Sequence, residues 1–315
     1  MRGMEPFAAA KGVWGIIREL SLDEIRDEAD RSPRLLILSN QHDAAERIAT
    51  ALTGRAFPDE VTIRRLDTPT GDTGEFDAVV LFDPEGSVES KERLDAIRSS
   101  EHKTAAVAFL SSDPFDQRAL RLARTAILKQ NPDRAVAFGR HLPSFRQAAV
   151  KHVNDETSLA NAQFALVANV PSVVPLFGSL ATVGADFFVL TKNQLLLIFK
   201  IAAIHGQDIH DSTRIFREMV PVVGAGFFWR TVAREAAALV PMMAGAVPKV
   251  AIAYTGTMAI GRAADFYYQT GVKPSKETMK GFYRQAAESL SRRQWLLRRN
   301  PNETETSFRI LEDEE

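Results

Sequence analysis

The chain has 315 residues, 45% hydrophobic and 25% charged, with a formal net charge of −1. That length is enough for two cores, and the composition excludes wholesale disorder. The near-zero charge excludes any global steering towards nucleic acid, and the absence of cysteine excludes disulfides, thiolate catalysis and cysteine-ligated zinc, which fits a reducing cytoplasmic setting.

The placement of charge says more than its sum. Residues 157–185 carry no charged side chain, and residues 236–261 carry only Lys249, whereas the first 155 residues and the last 50 are conventionally charged. A boundary is therefore expected near residue 155.

In chain order, residues 1–31 are expected to form amphipathic helices. Val13, Trp14, Ile16, Ile17 and Leu20 make a helical stripe, and Ser21 with Glu24 makes a capping-box pair that restarts a helix at Leu22. The opening stretch is not read as a secretory signal, because Lys11 and Arg18 break its apolar run.

Residues 32–155 alternate between two patterns. Buried strands are expected at 34–39 (RLLILS), 61–66, 77–82 (DAVVLF), 104–110 (TAAVAFL) and 134–138 (RAVAF). Helices are expected at 43–52, 90–99, 116–130 and 143–153. Apolar strands separated by helices imply an α/β fold, a doubly wound, mostly parallel sheet covered on both faces. Ligands in such sheets bind at the carboxyl ends of the strands.

Residues 39–54 (SNQHDAAERIATALTG) resemble the phosphate-binding loop and first helix of bacterial P-loop GTPases, whose pattern is GxxxxGK[ST]. On that alignment Ser39 replaces the first glycine, Ala44 the second, Ala45 the lysine and Glu46 the magnesium-holding hydroxyl. Each change removes a physical function: backbone N–H groups free to wrap a phosphate, a neutralising cation, a metal ligand. A carboxylate at Glu46 would repel a triphosphate by roughly several kcal/mol.

Other landmarks of the resemblance decay similarly. Asp67 and Gly71 stand where a γ-phosphate-sensing turn would be, with one residue inserted, and only residues 55–60 separate Gly54 from Val61. Asp113 keeps at most the acid of a guanine-reading loop. Asp67, Gly71 and Asp113 are remnants, the two acids being read first as caps of turns or helices. An unrelated flavodoxin-like sheet is the second reading. Neither restores a catalytic set, so no enzyme activity, no cofactor and no metal is expected.

The second half reads as an all-α domain, membrane-embedded in one reading, over residues 156–272. Residues 164–190 exceed the roughly 20 apolar residues that cross a bilayer, with Pro171, Pro175 and Gly178 interrupting them. Residues 219–229 and 236–261 resume the apolar character, dense in small residues that let helices approach closely. This half resembles the YcjF-like, GTPase-associated domain of unknown function found in bacteria, through the Arg146 region, Asn161-Ala162, the paired prolines, Asp186, Leu190-Thr191, Gln194, Ile201-Ala202, Gly206, Lys249, Gly261 and Phe266-Tyr267-Tyr268. That resemblance implies company with a GTPase and association with a membrane, and carries no catalytic residue.

Residues 273–299 are expected to form a C-terminal amphipathic helix, with Met279, Phe282, Tyr283, Ala286, Leu290 and Leu297 on one face. Residues 300–315 form an acidic tail, expected to be disordered. The segment from His205 to Asp211 matches no helical ligand pair and is read as a glycine-ended helix.

The expectation is a non-enzymatic, membrane-associated protein with a pseudo-GTPase domain acting as a recognition or scaffold surface. Its partners would be the membrane, a GTPase or further copies of itself, and not nucleic acid. It would sit at the inner membrane or the cytoplasmic face of the cell membrane, with the cytoplasm as the alternative. The alternatives are an atypical nucleotide-binding GTPase or ATPase, or a soluble oligomerising helical scaffold.

Overall fold

The computed structural model describes residues 21–56, 58–67, 75–99, 104–110, 115–167, 181–223 and 248–299. The chain divides into two compact units. Among the described residues, one holds those of Leu20–Asp155 with Leu196–Arg217, and the other holds those of Glu156–Leu195 with those from Glu218 to Arg299.

The first unit is α/β. Its elements are α1 (Asp23–Asp30), β1 (Leu35–Leu38), α2 (His42–Thr53), β2 (Val61–Arg64), β3 (Ala78–Asp83), α3 (Val88–Arg98), β4 (Ala105–Leu110), α4 (Gln117–Gln130) and α5 (Ala135–His141). The sheet order is β2-β1-β3-β4, and every pairing is parallel. This is the flavodoxin-like order of a doubly wound sheet, with the topological switch between β1 and β3.

Residues of β1 and β3 are buried on both faces, so alternation is absent there and these strands read as apolar runs. Leu36, Leu38, Val79, Leu81 and Ala106 share one core with Leu94 and Ile97 of α3. Leu35, Ile37 and Val80, on the other face, are equally buried. Each such aliphatic side chain contributes roughly 1.5–3 kcal/mol of burial. On that side α2 and α4 are tied together: Arg124 of α4 donates to the carbonyls of Leu52 (2.9 Å) and Ala51 (2.6 Å), satisfying the last turn of α2. Gly54 ends α2 at φ 79°, a left-handed conformation that favours glycine.

Two local expectations are corrected. The capping box at Ser21 is not formed: α1 begins at Asp23 without a side-chain cap, and the Ser21 hydroxyl donates to the Asp23 carboxylate at 3.2 Å instead. The expected strand over residues 134–138 is a helix, α5. A short apolar run has no periodicity to separate strand from helix, and here a distant group decides. Glu28 of α1 accepts from the N–H groups of Val136 (2.7 Å) and Ala137 (3.4 Å), capping α5 from outside.

The β4 edge is covered by a side chain in place of a fifth strand. Gln130 accepts from the Ala106 N–H (3.0 Å) and donates back to the Ala106 carbonyl (3.4 Å), imitating a strand partner. Gly139 of α5 allows a close crossing: a Cβ there would lie 2.7 Å from the Ala149 Cβ and 2.9 Å from Ile204 Cγ2.

The remaining described helices are α6 (Arg146–Val167), α7 (Ala181–Ile204), α8 (Ser212–Val223), α9 (Pro248–Thr270) and α10 (Lys276–Arg299). Leu196–Arg217, expected within the apolar domain of residues 156–272, groups with the sheet unit. One reason is that Arg140 of α5 donates to the carbonyls of Ala203 and Gln207, each at 3.0 Å. Gly206 ends α7 at φ 79°, with Gln207 N–H donating to Ala202 (3.0 Å) and Gly206 N–H to Ala203 (2.9 Å), a Schellman ending. The glycine-ended helix read over His205–Asp211 is therefore present.

In the second unit, Ala162 of α6, Ala251, Tyr254 and Met258 of α9, and Ala286 and Leu290 of α10 form one core. The helix expected over residues 273–299 is α10, and Tyr283, Ala286 and Leu290 of its apolar stripe are buried. Among the described residues no helix is long and apolar enough to cross a membrane. Within the apolar stretches 164–190 and 219–261, residues 168–180 and 224–247 lie outside the described residues.

Candidate functional site

The carboxyl edge of the sheet at the β1/β3 switch is where a doubly wound fold would place a ligand. Three residues, Ser39 to Gln41, join β1 to α2. Ser39 is buried; its N–H donates to the Arg64 carbonyl (3.0 Å) and its hydroxyl accepts from the Gln41 N–H (3.0 Å). The Asn40 side chain accepts from the Leu66 N–H at 3.1 Å. The turn is thus closed on its own side chains and on the end of β2.

The four positions aligned with a phosphate loop separate accordingly. Only Ser39 lies on the turn. Ala44, Ala45 and Glu46 lie inside α2, and the Ala45 N–H donates to the Gln41 carbonyl at 3.0 Å as an ordinary helical bond. Ala45 is fully buried. Glu46 is half exposed, 3.4 Å from the His42 imidazole one turn back. A phosphate cradle needs a loop of free N–H groups ahead of the helix; here the helix begins before the cradle would end.

Asp67 is exposed and forms a two-pronged pair with Arg65 (2.7 and 3.0 Å). The guanidinium holds its carboxyl below the ordinary range. Residues 68–74, whose N–H groups a cap at this position would hold, lie outside the described residues. Gly71 and Asp113 lie outside the described residues.

The carboxylate on the other side of the switch is Asp83, at the end of β3, which sequence reasoning missed. One of its oxygens accepts from the Ser90 hydroxyl (2.6 Å), the Ser87 hydroxyl (2.7 Å) and the Ser87 N–H (2.9 Å), and the other from the Glu85 N–H (3.0 Å). These donors hold its carboxyl far below the usual range, the Ser90 hydroxyl most of all. Its chemistry is spent on organising the start of α3, where Ser87 caps the Ser90 N–H. A strand-ending Asp followed by Ser87 and Ser90 was the available signal.

The second unit holds a neutral polar cluster. Thr257 of α9 accepts through its hydroxyl from Asn161 of α6 (2.9 Å) and Gln194 of α7 (3.1 Å), and Asn193 donates to the Asn161 carbonyl oxygen (2.7 Å). Asn161, Gln194 and Thr257 are all buried. Bonds of this kind fix helix register, because any slip strands a buried amide. Thr257→Val is expected to lower stability by about 2 kcal/mol and Thr257→Ser to be close to neutral, measured by thermal unfolding of the full chain in mild detergent.

Among the described residues no group of three His, Cys, Asp or Glu side chains could hold a metal ion. His210 instead pairs with Asp30 at 3.2 Å. No protein-family model matches the chain, and no curated protein matches it.

Proposed function

We propose that the protein is non-enzymatic and membrane-associated, with its sheet unit serving as a recognition surface at the cytoplasmic face of a bacterial inner membrane. The observation that carries the non-enzymatic part is the three-residue turn ahead of α2, with the Ala45 N–H already bonded within the helix. A triphosphate would find no lysine and no glycine loop there, only the first-turn amides of α2, and would meet Glu46 close by. The membrane part rests on the uncharged runs at residues 157–185 and 236–261 and on the resemblance to the YcjF-like, GTPase-associated domain. The Asn161, Gln194 and Thr257 bonding is of a kind suited to helices packed in lipid. A GTPase or a further copy of the chain is the partner that this reading implies.

The strand order β2-β1-β3-β4 favours a second reading of the sheet's ancestry, a flavodoxin-like unit that never had a phosphate loop. Both readings predict the same absence. Calorimetry of the full chain with GTP or ATP and magnesium is expected to detect no binding tighter than about 100 μM, roughly −5.5 kcal/mol. Tighter binding would restore the atypical nucleotide-dependent enzyme. Carbonate-washed membranes are expected to retain the chain; recovery wholly in the soluble fraction removes the membrane part.

A further inference from the structure

Within the second unit the polar and apolar faces of α6 are reversed. Ser158 and Asn161 are fully buried there, while Leu159 is 42% and Leu166 51% exposed. Ala160 and Gln163 are exposed between the two leucines. Leu159, Gln163 and Leu166 therefore run along one outward face at i, i+4 and i+7. The inward side is bonded as a polar core: Asn161 donates to the Thr257 hydroxyl at 2.9 Å, with Gln194 and Thr257 buried beside it.

A helix packed in water is built the other way round. Turning leucines outward gains nothing there, and drawing amides and hydroxyls inward costs free energy. Single exposed leucines are common, but this face also lacks charge. The last charged residues on α6 are Asp155, paired with Lys151 at 3.1 Å, and the exposed Glu156. None follows until Asp186. Acyl chains fit both halves of the pattern, since they solvate leucine and leave polar bonds to form between helices.

We propose that the outward face of α6 from Leu159 to Leu166 lies against lipid acyl chains, with Glu156 in the headgroup layer. A second marker sets the depth. Asn193 of α7 donates to Asn161 at 2.7 Å, so Lys192 next to it stands near the level of Asn161. From there its four-carbon stem can carry the ammonium back to the headgroups. At 1.5 Å per residue, Leu166 lies up to about 10 Å deeper than Leu159. The assignment rests on the membrane reading and adds which surface meets lipid, and how deeply.

The chain has no cysteine, so full-length Glu156→Cys, Leu159→Cys and Leu166→Cys each carry one nitrobenzoxadiazole label. All three positions are exposed. The labelled chains are placed in phosphatidylcholine–phosphatidylglycerol nanodiscs, open to water on both faces. They are then quenched by iodide from the water or by nitroxide-bearing acyl chains. Ions are excluded from hydrocarbon, so iodide quenching at residue 166 should be at least about fivefold weaker than at residue 156, with residue 159 between. Nitroxide acyl chains should give the reverse order. Equal iodide quenching at 156 and 166 overturns the proposal. So does protection of 166 from both quenchers, which would mark a protein partner or a second copy on this face. Carbonate washing of membranes bearing the same variants separates the two levels. A chain retained by the membrane with residue 166 open to iodide loses this surface and keeps the membrane reading; a chain lost to the wash removes both.

Discussion

Replacing Asp77 with alanine is expected to lower the stability of the sheet unit by about 3–5 kcal/mol, the cost of leaving a buried charge without its partner. Asp77 precedes β3, and one of its carboxylate oxygens accepts from Arg134 Nε at 3.0 Å, both side chains being 10% exposed. The other oxygen accepts from the Arg34 N–H at 2.8 Å. Arg134 also donates to the carbonyls of Arg31 (2.9 Å) and Ser32 (3.3 Å), and Asn131 donates to the Asp77 carbonyl (3.2 Å). One carboxylate therefore fastens the entry to β1, the start of β3 and the turn before α5. Its loss strands a guanidinium and a backbone N–H in a space closed to water. Arg134→Met should cost a comparable amount for the mirror-image reason. The double variant should cost well under the sum, because neither charge is then left alone. Urea unfolding of the four chains measures this; strictly additive losses would show the two groups to be uncoupled.

That hub marks where legibility in the sequence ended. The strands at β1, β3 and β4 were readable because parallel strands buried on both faces carry unbroken apolar runs. The helices α2, α3 and α4 were readable within two residues from their apolar spacing. The run Arg134–Phe138 was misread because its cap, Glu28, comes from 108 residues earlier, and no local pattern records such a group. Strand order was equally invisible. A P-loop reading and a flavodoxin-like reading share the same alternation of elements, and pairing across β1, β2 and β3 is a long-range choice. At the candidate site, the loss of the glycine-lysine pattern was plain in Ala44, Ala45 and Glu46. The helical bond from the Ala45 N–H was not, since the start of α2 at His42 follows from the Ser39 turn and its bond to Arg64.

Between pH 5 and pH 7 the sheet unit is expected to lose stability as pH rises, and Glu28→Gln is expected to abolish that loss. Glu28 is drawn out of water between α1 and α5, and burial pushes its carboxyl up to about 7 from 4.5. The bond from the Val136 N–H and the charges of Lys200 and Arg134 oppose that rise without cancelling it. The folded pKa lies above the unfolded one, so the folded chain holds the extra proton across this window. Stability is then full below about pH 4.5 and declines until about pH 7. The whole decline is about 3 kcal/mol, because each tenfold gain in proton affinity on folding is worth roughly 1.4 kcal/mol. Glutamine keeps an oxygen for the Val136 N–H and carries no charge, so it should match the wild type near pH 4.5 and exceed it at pH 8. Glu28→Ala removes the cap as well and should cost about 1 kcal/mol at every pH. The wild-type slope sums every titrating group of the unit. The difference between wild type and Glu28→Gln, taken by urea unfolding at each pH, isolates the carboxylate. A constant difference from pH 5 to pH 8 would mean that Glu28 stays ionised throughout and holds α5 by charge.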